Sequence, residues 1–335
     1  MKEIGSEFCE QYAPKSVAHQ DNTAYLLSGR TALHFIIDDI KGTQKGSKVL
    51  MPAYCCESMI LPFLQSGMDV QFYEMSPEFA EYPYENDADI VFLLDYFGYV
   101  SEQNATIAQR EKSVGKILIY DATHKLNGNA EVQRYADYSF CSYRKWFFCN
   151  YAEAVKHNGV FGKVCVPKQN ERYLGLRTAA AEEKAKYLAG EICAKEGFLT
   201  KFRQAEELLD NDYVGYAGQL VDCDFREIIA KRRENALYLI NGLRGIPEIR
   251  LWRDMLQAED APLFVPILVE PGVRGALRQR LIDERIYCPI HWPKAAYYRG
   301  HNELYDTELS LVCDQRYDVT DMERMLQVIK DFFER

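Results

Sequence analysis

Apolar residues recur along the chain in two patterns, one typical of helices and one of buried strands. In GRTALHFIIDDI, residues 29–40, the apolar side chains have helical spacing, and further helices are predicted over 56–67 and 103–113. Apolar runs of strand length are found at 48–54, 69–75, 89–98, 116–122 and 137–143, and a return strand is predicted at 153–159. Strands that alternate with helices in this way predict an α/β fold with a largely parallel sheet.

The pattern changes in the second half of the chain. Residues 171–210 are helical, polar and rich in lysine, and a long helix is predicted over 224–243. The remaining predicted elements are one strand and two helices, at 261–269, 273–286 and 321–335. We therefore expect a large α/β domain with an N-terminal arm over residues 1–222, and a linking helix with a small α+β domain over residues 223–335.

Composition and charge exclude several classes of function. The 335 residues carry a formal net charge of −10, which argues against a nucleic-acid partner because phosphate binding needs clustered Lys and Arg. No run of eighteen apolar residues occurs, and the start of the chain lacks the apolar core of a secretory signal, so no membrane partner is expected. The ten cysteines fit a reducing, cytoplasmic environment, and without CxxC or HExxH spacing no metal site is predicted.

Candidate chemistry follows the strands, since ligands of open α/β sheets bind beyond the carboxyl ends of the strands. SGRT, residues 28–31, opens a helix, exposes backbone N–H groups to an anion and offers Arg30 as a charged donor. The structural alternative is a plain N-cap formed by Ser28. Asp121 follows a buried strand, where it either forms a structural ion pair or faces a cationic ring nitrogen. His124 could support that carboxylate, although a lone histidine is more often structural.

Lys145 is a lysine among aromatic residues, in YSFCSYRKWFFCN at residues 138–150. It is either a strand-end lysine that reaches water or an amine with a function in a partly apolar pocket. An anion site, a carboxylate and a lysine are the three groups that pyridoxal phosphate requires. We expect Tyr143, Trp146 and Phe147 to bury the amine partly, which would disfavour its charged form and make it a better nucleophile.

Taken together, these segments resemble the DegT/StrS family of sugar aminotransferases, which are pyridoxal-phosphate enzymes of fold type I. The resemblance runs from about residue 24 to the C-terminus, and its specificity lies in the joint order and spacing of short motifs. These motifs are SGRTALHF, KVLMPAYCCESMILPFLQSGMDVQFYEM, YDATH, SFCSYRKW, IYCPIHWP and ELSLVCDQRYDVTDMERM. The resemblance implies a PLP-dependent transferase-like fold and a homodimer with active sites at the interface.

The resemblance also implies an activity and the residues that carry it. The reaction would be transfer of an amino group from a glutamate-like donor to a keto sugar, in particular a nucleotide-linked one. Lys145 would bind the cofactor aldehyde as a Schiff base and shuttle the proton, Asp121 would pair with the pyridinium nitrogen, and His124 would lie near the phenolic oxygen. His291 and Arg316 are candidate substrate contacts, and the alternative for His291 is a packed loop histidine.

The cofactor phosphate would be held at the N-terminus of the first helix. The resemblance assigns Gly29 and Arg30 to it, together with either Ser139 or Ser142, and the sequence leaves that choice open.

The chain departs from the family in three places. Where the family stacks an aromatic ring on the cofactor, this chain has Cys56, and Tyr54 is the alternative by a shift. Ala152 and Glu153 stand where the family has a glycine-rich loop, and the loop lent by a neighbouring subunit is not recognisable in residues 205–222. These departures favour a second hypothesis, a protein of the same fold that binds a sugar nucleotide or a partner without turnover.

Overall fold

The computed structural model describes residues 2–15, 20–43, 46–163, 165, 170–209, 215–216 and 218–334. The strands in this part of the chain are β1 Ile4–Gly5, β2 Ala13–Lys15, β3 Thr23–Leu26, β4 Lys48–Pro52, β5 Asp69–Met75, β6 Ala80–Glu81, β7 Ile90–Leu94, β8 Ile117–Asp121, β9 Tyr138–Cys141, β10 Ala152–Lys156, β11 Leu220–Asp222, β12 Arg250–Leu251, β13 Phe264–Leu268, β14 Ile286–Tyr287 and β15 Glu308–Val312.

The helices lie between these strands and cover them. They are α1 Gly29–Gly42, α2 Glu57–Gln65, α3 Glu102–Ser113, α4 Ala130–Gln133, α5 Glu171–Leu188, α6 Glu196–Glu207, α7 Phe225–Leu243, α8 Pro271–Asp283, α9 Leu304–Thr307 and α10 Val319–Phe333, with 3₁₀ turns at Tyr96–Gly98 and Tyr143–Lys145. Among the described residues no helix is both long and apolar enough to cross a membrane.

The chain forms two compact units, each built from separate stretches of sequence. The first comprises Met1–Ser6, Gly46–Ala136 and Asp224–Arg335, and the second comprises Glu7–Lys45 and Asp137–Cys223. This grouping follows compactness and does not test the predicted boundary between residues 222 and 223.

In the first unit, five strands form a sheet in the order β8-β7-β4-β5-β6, and only the short β6 runs antiparallel to its neighbour. Every residue of β7, IVFLL, is buried, as a strand covered on both faces requires. The register places Leu94 opposite Asp121 at the carboxyl ends of β7 and β8. The predicted α/β fold with a largely parallel sheet is confirmed, although the run at 89–98 leaves the strand after Leu94.

The first unit also contains the predicted smaller α+β region. Strands β12, β13 and β15 form an antiparallel sheet. Helices α7, α8 and α10 pack around it, and their apolar side chains share one core with the sheet; its members include Leu239, Val265, Leu281, Leu311 and Met325. The hydrophobic effect of this burial explains why the apolar positions of the last 110 or so residues recur at helical and strand periods.

In the second unit, β10 pairs antiparallel with both β3 and β9. The predicted return strand is therefore present, over Ala152–Lys156. Helix α1 packs against all three strands with a buried face that includes Leu33, Ile36, Ile37 and Ile40. This packing fixes the N-terminus of α1 relative to the end of β9.

Candidate functional site

The N-terminus of α1 is closed by a capping box. The Ser28 Oγ accepts a hydrogen bond from the Thr31 N–H at 3.2 Å, and the Thr31 Oγ1 accepts one from the Ser28 N–H at 2.9 Å. The structural role considered for Ser28 is therefore present. Gly29 and Arg30 lie in the first turn of α1, where the helix dipole stabilises an anion.

Ser142 lies directly beside this helix N-terminus. A Cβ placed on Gly29 would come 3.2 Å from the Ser142 Cβ and 3.6 Å from the Phe140 ring. Glycine at position 29 therefore permits a close approach between the helix start and the segment after β9. Ser139 has a different neighbour, since its Oγ lies within hydrogen-bonding distance, 2.9 Å, of the His157 Nε2.

Lys145 ends the 3₁₀ turn that follows β9, and its backbone N–H donates to the Ser142 carbonyl at 3.2 Å. The side chain of Lys145 is exposed, whereas Trp146 and Phe147 are fully buried. The prediction that aromatic neighbours bury the amine is therefore wrong. The turn points Trp146 and Phe147 into the core and leaves Lys145 on the outer side.

Hydrogen bonds and ion pairs hold this turn in place. The Tyr143 hydroxyl donates to the Glu153 carboxylate at 2.7 Å, and the Tyr25 hydroxyl donates to the same carboxylate at 3.1 Å. Arg144 forms a two-pronged ion pair with Glu206 on α6. Desolvation alone would raise the pKa of Glu206, but the adjacent Arg144 guanidinium lowers it well below its usual range.

In the first unit, Asp121 is the last residue of β8 and is buried. Its Oδ1 accepts a hydrogen bond from the Thr123 N–H at 2.8 Å, which turns the chain after the strand. Asp95, after the neighbouring strand β7, is a second buried carboxylate that sequence reasoning missed. It accepts hydrogen bonds from side chains at 2.9–3.0 Å, namely Asn104, Asn129 and Tyr120, and burial raises its pKa.

His124 has a defined tautomer. Its Nδ1 accepts a hydrogen bond from the Phe97 N–H at 3.2 Å, so in the neutral ring the proton is on Nε2. Phe97 adopts a left-handed conformation, with φ of 55°, to present this N–H. The Trp292 ring stacks on His124 with 5.4 Å between the ring centroids and 19° between the planes.

His291 is buried, with its ring 5.5 Å from that of His124. The Ser310 hydroxyl donates to the Glu308 carboxylate and lies 2.9 Å from the His291 Nδ1. While Glu308 is ionised, that hydroxyl gives its hydrogen to Glu308 and accepts from the Nδ1–H of His291, whereas a protonated Glu308 would donate to Ser310 and reverse both hydrogen bonds. Burial raises the pKa of Glu308 to about 7. The polar residues in the buried strand ELSLV were the signal that could have revealed this network.

Neither Tyr54 nor Cys56, the two residues considered for the cofactor face, is well suited to stack on a cofactor ring. Tyr54 is fully buried, and its hydroxyl donates to the Glu308 carboxylate at 3.1 Å and to the His291 carbonyl. A cofactor ring would therefore have to displace one of its aromatic neighbours. Cys56 is half-buried at the N-cap of α2, with its Sγ 2.9 Å from the Ser58 Oγ.

Arg316 is engaged in an ion pair. Its Nε and Nη2 donate to the two carboxylate oxygens of Asp314 at 2.9 and 2.7 Å. In the first unit the structure therefore groups Tyr54 with His291 and His124, and it gives Arg316 a structural partner. Part of the segment 205–222, where the loop of a neighbouring subunit was sought, lies outside the described residues.

Comparison with known proteins gives a fold and no sequence family. No family model and no curated protein sequence matches the chain. Among solved structures, the aminotransferase PseC of Helicobacter pylori, involved in the biosynthesis of pseudoaminic acid, superposes with a TM-score of 0.64 at 12% identity, covering 98% of this chain and 100% of PseC. The chain has the fold of these aminotransferases.

Two further structures support the same fold. DesI, solved in the presence of its TDP-sugar product, has a TM-score of 0.63 at 14% identity, with 95% of this chain and 81% of DesI covered. NtdA of Bacillus subtilis, solved with the cofactor PMP, has a TM-score of 0.61 at 14% identity, with 93% of this chain and 73% of NtdA covered. The fold expected from the motifs is therefore confirmed across nearly the whole chain.

No group of residues suited to a metal ion is found in the described part of the chain.

Proposed function

We propose that the chain is a pyridoxal-phosphate-dependent aminotransferase that acts on a keto sugar. The observation that carries this proposal is the arrangement around Gly29. The N-terminus of α1 lies beside a buried serine, since a Cβ on Gly29 would come 3.2 Å from the Ser142 Cβ, and the exposed Lys145 follows three residues after that serine. An anion-binding helix start beside a reachable amine is what a phosphorylated aldehyde cofactor requires.

The residues present fit the cofactor in a specific way. The N–H groups of Gly29 and Arg30 and the hydroxyl of Ser142 would hold the phosphate. Of the two serines, Ser142 is the better candidate, because it lies directly beside Gly29 at the start of α1. Lys145 would hold the aldehyde carbon. When bound, the cofactor supplies an electron sink for the transferred amino group.

Asp121 and His124 are the residues proposed for the ring. Asp121 would pair with the ring nitrogen, since a buried carboxylate is stabilised by a cation. His124 would donate its Nε2–H to the phenolic oxygen, because the Phe97 N–H occupies Nδ1. The amine of Lys145 would take up and return the proton that each half-reaction moves.

The substrates are proposed from the solved neighbours. DesI was solved with a TDP-sugar product, which supports a nucleotide-linked keto sugar here, and a glutamate-like amino acid would be the donor. Of the two candidate substrate contacts, we favour His291, since Arg316 is already paired with Asp314. We also propose a homodimer and the domain division at residues 222 and 223, on the basis of the family resemblance.

A second candidate is a protein of this fold that binds a sugar nucleotide without turnover. The observation that favours it is the position where a cofactor ring would stack. Tyr54 is fully buried and hydrogen-bonded, and Cys56 provides no ring.

The test is to add pyridoxal phosphate to the purified protein and record visible absorption before and after borohydride. The expected result is a yellow adduct that borohydride fixes to the protein and that is lost in Lys145→Ala. The control is Lys41→Ala, which removes an exposed lysine at the end of α1 and should retain the adduct. Bleaching by glutamate would then support transamination. An adduct that glutamate leaves unchanged favours the second candidate, and an adduct that persists in Lys145→Ala refutes the assignment of this lysine.

A further inference from the structure

The first unit contains a pocket of about 690 Å³ that none of the proposed cofactor residues lines. It lies beyond the carboxyl ends of β4, β5 and β7, and it is bounded by the start of α3 and by the chain that follows α7. Ligands of open α/β sheets bind at such strand ends, and this volume is within the range of small-molecule sites.

The wall of the pocket is aromatic and well ordered by packing. Tyr96, Tyr99 and Trp252 line it, and each is more than nine-tenths buried. The rings of Tyr96 and Trp252 pack at 5.7 Å. The hydroxyls of Tyr96 and Tyr99 are used internally, since they donate to the carbonyls of Tyr54 and Phe264 at 2.5 and 3.1 Å. Tyr96 and Tyr99 therefore offer apolar ring surface and no free donor.

Two other donors in the wall have no protein partner. Tyr73 and Trp252 are 4% and 6% exposed, and among the described residues neither the Tyr73 hydroxyl nor the Trp252 indole N–H makes a hydrogen bond. Neither atom is sealed from solvent, unlike the buried and unpartnered Tyr82 hydroxyl nearby. Both residues line the pocket, so a ligand held there would lie beside these side chains. A ligand with acceptor oxygens would satisfy them.

Acceptors are also available, at the rim. Glu78, Glu102 and Asp254 line the pocket together with Arg244 and Arg253, so the acidic groups exceed the basic ones by one. Arg253 donates to the Val100 carbonyl at 2.6 Å, and Arg244 donates to the Asp254 carbonyl. The excess of acidic groups disfavours a phosphorylated ligand, and the unpartnered donors of Tyr73 and Trp252 disfavour an ammonium group.

We propose that this pocket binds an uncharged, polyhydroxylated ring, that is, a neutral sugar. Each sugar hydroxyl is both donor and acceptor, so it matches the Tyr73 and Trp252 donors and the rim carboxylates together. The apolar faces of the sugar ring would pack against the aromatic wall. The proposal does not depend on the proposed aminotransferase activity, because it concerns binding alone and other residues.

The test is titration calorimetry of the purified full chain with glucose, galactose, mannose and N-acetylglucosamine, with and without pyridoxal phosphate. Glucose 6-phosphate and glucosamine are the charged counterparts. At least one neutral sugar is expected to bind, and both charged sugars are expected to bind more weakly. Tyr73→Phe and Trp252→Phe each remove one donor and keep a ring, and each should weaken binding roughly three- to tenfold.

The matched control is Tyr297→Phe, which removes the hydroxyl of a half-exposed tyrosine outside the pocket and should leave the affinity unchanged. Circular dichroism verifies that all three variants are folded. If no neutral sugar binds, or if glucose 6-phosphate binds best, the assigned ligand class is wrong. If Tyr73→Phe and Trp252→Phe both retain full affinity for a sugar that does bind, the pocket is not its site. None of these outcomes depends on whether the Lys145 adduct forms.

Discussion

Replacing Glu308 with glutamine would test whether its carboxyl group is protonated in the fold at neutral pH. Glu308 is fully buried in β15. One of its oxygens accepts from the Ser310 hydroxyl, and the other accepts from the His291 N–H at 2.9 Å and the Tyr54 hydroxyl at 3.1 Å. A glutamine can keep its oxygen toward His291 and Tyr54 and direct its NH₂ group at Ser310, as a protonated carboxyl would direct its O–H.

The magnitude follows from the pKa of Glu308, which burial raises from 4.5 to about 7. The folded protein therefore binds this proton more tightly than the unfolded chain does. The corresponding stability is fully present below pH 4.5 and is lost as the pH rises through 7, about 3 kcal/mol in all. Most of this loss, roughly 2 to 3 kcal/mol, falls between pH 5 and pH 8. Glutamine does not titrate, so the variant should gain that amount relative to wild type over this interval.

The assay is urea unfolding followed by tryptophan fluorescence at pH 5, 6, 7 and 8, with the free energy of unfolding compared between the two proteins at each pH. Glu323→Gln, an exposed change on α10, is the control and should show no such trend. A difference between Glu308→Gln and wild type that stays constant with pH, or that moves in favour of wild type as pH rises, would refute the reasoning.

Two further predictions concern the cofactor site and the backbone that supports it. Ser142→Ala should weaken binding of pyridoxal phosphate about tenfold without affecting pyridoxal, whereas Ser139→Ala should change neither by more than about twofold, as measured by absorbance titration. Equal effects of the two substitutions would contradict the assignment of the phosphate contact to Ser142 and not to Ser139. Gly98→Ala should cost about 3 kcal/mol of unfolding free energy, since φ is +89° and the new Cβ would lie 1.8 Å from the Ala261 carbonyl oxygen. A cost below about 1 kcal/mol in urea unfolding would contradict this.

The strands and helices could be predicted because buried positions are apolar and recur along the sequence at the period of a helix or a strand. The prediction for β5 matches the observed strand at both ends, Asp69 and Met75. Strand β7 was predicted too long, to residue 98, because the aromatic side chains of YFG extend the apolar pattern of the strand before it. Periodicity does not register a left-handed residue such as Phe97, and so it cannot locate that turn.

The exposure of Lys145 could not be read from its neighbours. In a strand, alternation would have decided which side chains point inward. Lys145 instead lies in a 3₁₀ turn, where adjacent residues point in directions that depend on the turn. Trp146 and Phe147 are aromatic because they fill the core, and their chemistry carries no information about the amine beside them.

The Glu308 network escaped prediction for a different reason. A glutamate and a serine two residues apart in a strand lie on one face, which the sequence does show. Their partners, His291 and Tyr54, are distant in the chain, and only the tertiary structure brings them together. A buried carboxylate without a cation beside it in sequence is therefore a signal that a partner exists, and it does not identify the partner.

The departure from the family after the lysine bears on the choice between an enzyme and a binding protein. The missing glycines would count against catalysis if the loop had to be flexible for the lysine to be placed. In this chain β10 begins at Ala152, after the segment 146–151 that follows the turn, and Glu153 accepts hydrogen bonds from the hydroxyls of Tyr143 and Tyr25. Residues of the strand therefore restrain the segment that carries Lys145. In this chain hydrogen bonds to Glu153 restrain the turn where the family has glycines, so the second hypothesis rests on the stacking position at Cys56 and on the segment 205–222.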